Sequence, residues 1–248
     1  AVDSNVDIRE DNYNFNLLVA PGYPELIDNL VMLNDDRGDT GFVIGDTPMT
    51  LEPTVTAISA WNNNANGNGL GTASPYLGVY YPAGLTTDLA GNTVAVPASH
   101  SVLRTFLYND NVAYPWFAPA GFTRGGLSEG RGGIPVLGVT EKLSSKDRDT
   151  LYEANINPIA SFPAEGIVIF GQKTLQATPS ALDRINVRRL MIYLKKEISR
   201  MATTVLFDPN IEVTWKRFLN LAQPFLATVK SNFGLSDYKV ILDETTTT

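Results

Sequence analysis

Apolar residues follow two periodicities along this chain, and the alternation between them outlines the fold. Compact apolar runs over residues 14–20, 41–46 and 76–81 read as strands. Between the first two, Leu26, Ile27, Leu30, Val31 and Leu33 recur at helical spacing, with Pro24 suited to a first turn and Gly38 to a C-cap. Strand, helix and strand in that order form a β-α-β unit, the building block of an open, largely parallel α/β sheet. Val55, Ile58 and Trp61 step by three, so a second helix is expected over residues 53–61, before the Asn/Gly tract 62–69 dissolves the pattern. A third helix enters at Pro97 and carries Val102, Leu103, Phe106 and Leu107.

Residues 115–133 are rich in Pro and Gly and mark an exposed crossing, which places a domain boundary near Gly138. The expectation is an α/β domain over 1–138, a mostly parallel twisted sheet flanked by helices, and a partial α+β domain with two long helices over 139–248. In the second part Ser144 or Ser145 caps a short helix through Tyr152. Residues 155–162 and 166–175 read as strands that pair through the turn at Pro163-Ala164-Glu165-Gly166. Val187, Leu190, Met191, Leu194, Ile198, Met201, Ala202 and Val205 then lay one apolar stripe along a long helix. Arg188, Arg189, Lys195, Lys196 and Arg200 fall mostly off that stripe. Asp208-Pro209 begins another helix with Trp215, Phe218, Leu219, Ala222, Leu226 and Val229 on one face, Pro224 inside it and Gly234 at its end. A last strand over 238–242 leads into Asp243-Glu244 and four threonines, and no internal repeat is evident.

Composition narrows the function classes. With 44% hydrophobic and 18% charged residues over 248 positions, the chain is a folded globular protein. No apolar run approaches the roughly 20 residues that span a bilayer, and Ala1-Val2-Asp3-Ser4 does not open a signal peptide, so no membrane insertion is expected. The absence of cysteine removes disulfides, thiolate nucleophiles and Cys-based zinc sites. The net charge of −7 conceals a split. Residues 1–100 carry twelve acids against Arg9 and Arg37, and residues 101–248 carry seventeen bases against fourteen acids. Separated charge of this kind lets identical copies steer one another head to tail.

Candidate chemistry is sparse. A serine-type hydrolase would have to be built on His100, the single histidine, and no Gly-x-Ser-x-Gly elbow accompanies it. Gly67-x-Gly69-x-Gly71 follows no strand, and the glycines of 125–133 lack the Lys-Ser/Thr of a phosphate loop. Residues 34–39 cluster acids without the alternating ligands and distal Glu of a calcium loop. They include Arg37-Gly38-Asp39, the tripeptide integrins read, which a helix end passing into a strand also explains. No catalytic, cofactor or metal site is expected. The basic helix suits nucleic acid by charge, but the overall pI of about 4.8 and the interrupting Glu197 favour an acidic protein partner.

Asp183-Arg184-Ile185-Asn186-Val187-Arg188-Arg189-Leu190 followed by a basic helix resembles the hallmark segment of contractile phage tail sheath proteins. Further blocks resemble that family in the same order: the helix–strand block of 28–43, Pro75-Tyr76-Leu77-Gly78-Val79-Tyr80-Tyr81-Pro82, Val96-Pro97-Ala98-Ser99, and Pro115-Trp116-Phe117-Ala118-Pro119-Ala120-Gly121 with Arg124-Gly125. Leu151-Tyr152 with Ile156-Asn157-Pro158, Gly171-Gln172-Lys173-Thr174, and Asp237-Tyr238-Lys239-Val240 with Asp243-Glu244-Thr245 complete the set. The resemblance implies a subtilisin-like but non-catalytic first domain, no cofactor, and a structural subunit of the virion tail assembled in the host cytoplasm. Its implied partners are further copies of itself in a helical stack of rings, expected to be hexameric, the tail tube protein and the baseplate. The family's N- and C-terminal arms are lacking, so a fragment of a longer protein is expected. Arg188, Arg189, Lys195, Lys196 and Arg200 are expected to form a basic face that meets the tube or the Asp35/Asp36 region of a neighbour.

Overall fold

The computed structural model describes residues 2, 4–10, 13–64, 67, 69–129 and 133–243. Its elements in chain order are β1 (Leu17–Val19), α1 (Ile27–Asp36) after a 3-10 turn at Pro24–Leu26, β2 (Phe42–Asp46), α2 (Val55–Asn62), β3 (Leu77–Tyr81), β4 (Gly84–Thr87) and β5 (Thr93–Val96). There follow α3 (Ala98–Val112), α4 (Gly121–Arg124), β6 (Gly138–Val139), α5 (Ser145–Glu153), β7 (Ile156–Phe162) and β8 (Gly166–Ile169). Last come α6 (Ile185–Ala202), a 3-10 turn at Thr203–Val205, and α7 (Glu212–Ser231).

Five strands form one sheet in the order β1-β2-β3-β7-β8, parallel except for the final antiparallel pair. Every residue of β2 and β3 is buried, as befits central parallel strands covered on both faces. Leu30, Val31 and Leu33 of α1 and Ile58 and Trp61 of α2 pack with Val43, Leu77 and Val79 in the main core. Thr54 caps α2 through its side-chain oxygen, and Ser144 with Asp147 forms a capping box at α5, so both helix starts follow local chemistry. Beside the outer strand β8, Leu127 donates to Ile167 and Ile169 donates to Gly125, which covers an edge that would otherwise pair freely. The mixed α/β architecture with a mostly parallel sheet is the one the sequence implied.

Three strand assignments differ from the sequence reading. A small antiparallel sheet, β5-β4-β6, was not foreseen, because strands of two to four residues leave no periodicity to read. The expected strand 166–175 stops at Ile169, since residues 171–175 turn away: Lys173 donates to Asn157 Oδ1 and Leu175 to Leu77. No strand forms at 238–242, because a strand needs a ladder partner and none is offered to it among the described residues.

The chain divides into compact units between Arg189 and Leu190, whereas the sequence reading placed a boundary near Gly138. Gly138 itself lies in β6, which pairs with β4, and β7 beyond it pairs with β3. In the second unit, from Leu190 onward, Leu190, Ile192, Leu194, Ala222, Leu226 and Val229 are buried, and Tyr193 meets Phe225 with ring centroids 5.8 Å apart. Ile192 is buried where the stripe had Met191, which is exposed. Within that unit Lys230 pairs with Asp237 and the Tyr238 hydroxyl donates to the Gln223 carbonyl. Glu244, Thr245 and the threonines that follow, Ala65, Asn66 and Asn68 of the Asn/Gly tract, and Gly130, Arg131 and Gly132 of the Pro/Gly crossing lie outside the described residues.

Candidate functional site

The first turn of α6 is seated in the first unit before it is anything else. Thr174 N and Oγ1 both donate to the Asp183 carbonyl, and Ile185 N donates to Gln172. Ile185 is fully buried, and a Cβ on Gly78 of β3 would stand 3.0 Å from its Cδ1, so the two pack closely there. From this seat Arg184 reaches the Tyr152 hydroxyl, which holds the guanidinium pKa above its ordinary value. Asn186 Nδ2 donates to the Trp116 carbonyl at 3.3 Å. Arg188 donates to the Leu182 carbonyl at 2.7 Å and to Gln176 Oε1 at 2.6 Å, with its guanidinium over the Tyr76 ring.

Arg189 is the centre of this arrangement. It is 3% exposed, forks onto both carboxylate oxygens of Asp110 at 2.9 and 2.5 Å, and lies over the Phe106 ring at 4.8 Å. The sequence reading put it on a basic surface; that placement is corrected. A planar fork of donors matches a carboxylate edge to edge, which suits arginine to a buried pair in a way periodicity does not reveal. Arg188 is half-buried and likewise committed to partners inside the same unit. Of the remaining candidates, Lys195 and Arg200 are exposed and Lys196 half-buried. Arg200 pairs with Glu197 one turn earlier, and that hydrogen bond holds its pKa above the ordinary value. Asp35 and Asp36 are exposed in the last turn of α1, Asp36 in an ion pair with Arg9. The partners of Arg188 and Arg189 are thus Gln176 and Asp110, not these two acids.

The other family-like blocks have the same structural character. Asn157 is fully buried and ties three segments together: its Nδ2 donates to Val79 and Lys173, and its Oδ1 accepts from Lys173 N. A Cβ on Gly171 would come within 2.8 Å of the Asn157 backbone, which explains the glycine. Lys173 donates to the Tyr152 carbonyl and lies over its ring. Arg124 Nε donates to Ala118, and the buried Trp116 stacks on Tyr114 with parallel rings 4.6 Å apart.

Around His100 the geometry does not make a nucleophile. Asp46 accepts from Ser99 N at 2.6 Å, from Ser99 Oγ at 2.7 Å and from Gly22 N at 2.9 Å, so the serine hydroxyl is given to a carboxylate at the start of α3. His100 follows Ser99 on the same helix, and burial together with Arg104 lowers its pKa against the opposing pull of Asp46. Arg37 is equally committed: it donates to the carbonyls of Ile8, Glu10 and Tyr13 and lies over Phe15. An Arg-Gly-Asp sequence whose arginine staples a neighbouring segment does not present that side chain to a receptor. Among the described residues no three His, Cys, Asp or Glu side chains gather to hold a metal, and no helix is long and apolar enough to cross a membrane. One open cleft of about 480 Å³ lies in the first unit, with Ala118, Pro158 and Phe170 as apolar walls and Arg148, Asp149 and Gln172 as polar ones.

No protein-family model matches the chain. The tail sheath protein of Vibrio phage KVP40 is 39% identical over 150 residues, which cover 60% of this chain and 22% of that protein. The tail sheath protein of Enterobacteria phage T4 is 33% identical over 153 residues, covering 62% of this chain and again 22% of that one. Among solved structures, the sheath complex of an extracellular contractile injection system, PVC, in the contracted state superposes with a TM-score of 0.73 at 25% identity, over 92% of this chain and 58% of that one. The matched segment is thus about a fifth of the length of the curated relatives. Over that shared part this chain is similar to the tail sheath proteins of these phages and to a contractile sheath.

Proposed function

We propose that the chain is part of a structural subunit of a contractile tail sheath, which polymerises around a tail tube and shortens to drive the tube through a host envelope. The observation that carries this reading is the 39% identity to a tail sheath protein over 150 residues. Copies stack as hexameric rings on the tube and against a baseplate, within a virion tail assembled in the host cytoplasm. Sheath shortening requires subunits that move as near-rigid bodies between two arrays. Buried polar ties such as Arg189–Asp110 and the three bonds of Asn157 supply internal rigidity of that kind. No cofactor or catalytic residue takes part; with Ser99 Oγ bonded to Asp46, the hydrolase alternative built on His100 is not favoured.

Lys195, Lys196 and Arg200 remain as the basic contribution to a contact with an acidic partner, either the tube or the Asp35/Asp36 region of a neighbouring copy. Charge reversal at Lys195 and Lys196 in a full-length sheath tests it by electron microscopy of assembly on purified tubes. The expected result is shortened or absent sheaths with unchanged folding by circular dichroism. Sheaths of normal length from the doubly reversed protein would remove this face from assembly.

A further inference from the structure

The hairpin of β4 and β5 presents a strand edge that the fold leaves open. Its turn is braced: Asp88 N donates to the Asn92 carbonyl at 2.9 Å, Gly91 N to the Asp88 carbonyl at 3.0 Å, and the Asp88 carboxylate accepts from Ala90 N and Asn92 N at 2.8 Å. Gly91 takes a φ of 85°, the left-handed position that such a turn requires. The ladder that follows pairs Thr87 with Thr93, Thr86 with Val94, Leu85 with Ala95 and Gly84 with Val96. Bonded and non-bonded pairs alternate along an antiparallel ladder. The bond from Asp88 to Asn92 sets the phase, so Thr86–Val94 and Gly84–Val96 exchange hydrogen bonds while Thr87–Thr93 and Leu85–Ala95 do not. The Leu85 carbonyl agrees, since it turns to the other side and accepts from Leu137 N at 2.8 Å. The N–H and C=O groups of Thr93 and Ala95 therefore point away from β4, and β5 ends its sheet among the described residues.

Edge strands ordinarily carry a charge, a proline or a bulge that keeps other chains away. Within β5 there is none of these. No Asp, Glu, Lys or Arg stands between Leu89 and Ser99, the ladder runs without a break in register, and Thr93, Val94 and Ala95 are exposed. The same neutrality identifies the occupant. A strand set antiparallel against its own copy about a two-fold axis opposes each residue to the same short segment, so any charge there would meet its like. In this chain of net charge −7, β5 and its flanks bring no charge to oppose.

We propose that β5 pairs with β5 of a second copy, antiparallel about a two-fold axis at Val94. Thr93 and Ala95 of each copy exchange hydrogen bonds with Ala95 and Thr93 of the other, which joins the two small sheets across one new ladder. Val94 lies opposite itself in the non-bonded pair between them, a β-branched residue suited to a pleated surface. A two-fold contact closes on itself. The product is a dimer of the free chain, and the inference does not rest on the sheath reading.

Sedimentation velocity of the 248-residue chain up to about 0.5 mM, where contacts of millimolar strength begin to be populated, should show a monomer–dimer equilibrium and no larger species. Ala95→Pro removes an outward N–H without touching the ladder to β4, so it should weaken dimerisation at least about tenfold. Thr93→Pro serves the same purpose should that variant fail to fold. The chain has no cysteine, so Val94→Cys supplies a single thiol. Opposite residues of a non-bonded pair stand about 4.5 Å apart at Cα, inside the span of about 4.4–6.8 Å that a disulfide bridges. Under mild oxidation this variant should cross-link to a dimer at least about tenfold faster than Leu89→Cys, which is more exposed but lies at the hairpin tip, off the axis. A wild type that stays monomeric, an Ala95→Pro protein that dimerises like wild type, or equal cross-linking from positions 94 and 89 would overturn the pairing. A monomeric wild type that binds an uncharged strand peptide of unrelated sequence would also overturn it, and would give the edge to another chain.

Discussion

The first turn of α6 and its later turns carry the same residue types and use them in opposite ways. Over 185–189 the polar side chains point into partners: Asn186 onto Trp116, Arg188 onto Gln176 and Leu182, Arg189 onto Asp110. From Lys195 to Arg200 the cations lie at or near the surface, and Arg200, 71% exposed, pairs with Glu197 on its own helix. A charge in water is nearly indifferent to its neighbours, whereas a buried one must be matched atom for atom. The first turn is therefore held by matched polar partners within the first unit, while the cations of the later turns stand closer to water.

The largest test of that contrast is Arg189→Ala, which leaves the Asp110 carboxylate without its fork and should destabilise the protein by about 3–5 kcal/mol in urea unfolding. Arg189→Lys should recover only part of this, since a point charge does not reproduce a bidentate pair. A smaller effect is expected at His100. Its pKa is lowered in the fold, chiefly by burial, so its contribution to stability is present above the ordinary value of 6.5 and is lost as pH falls below it. His100→Gln should flatten the acid side of a stability–pH curve and leave pH 8 unchanged. Smallest of all, Arg200→Ala should leave the unfolding midpoint where it is. A loss there comparable to that of Arg189→Ala would erase the distinction between the two regions.

The elements with a clear period and a chemical stop were legible in the sequence. α1, α2 and α5 begin and end within a few residues of where Pro24 with Gly38, the spacing of Val55, Ile58 and Trp61, and Ser144 or Ser145 place them, and the core strands β2, β3 and β7 stand where the apolar runs stand. Length defeated the reading of β4, β5 and β6, and the lack of any pairing partner defeated the strand at 238–242. The site was only half legible. Lys195 and Arg200 lie on the surface as their offset from the stripe implied, but Arg189 shares that offset and is buried, because its partner Asp110 lies 79 residues earlier and leaves no mark on local spacing. The cleft beside Phe170 had no sequence signal at all.

The central claim, that the hallmark segment is an internal clamp and not a basic surface, is tested most directly by a double-mutant cycle on Arg189 and Asp110. Arg189→Met, Asp110→Asn and the double variant would each be unfolded in urea beside the wild type. The account predicts a coupling energy of about 2–3 kcal/mol, at the upper end for residues in direct contact. Additive losses, with a coupling below about 0.5 kcal/mol, would contradict it and return Arg189 to the surface role its sequence position first suggested.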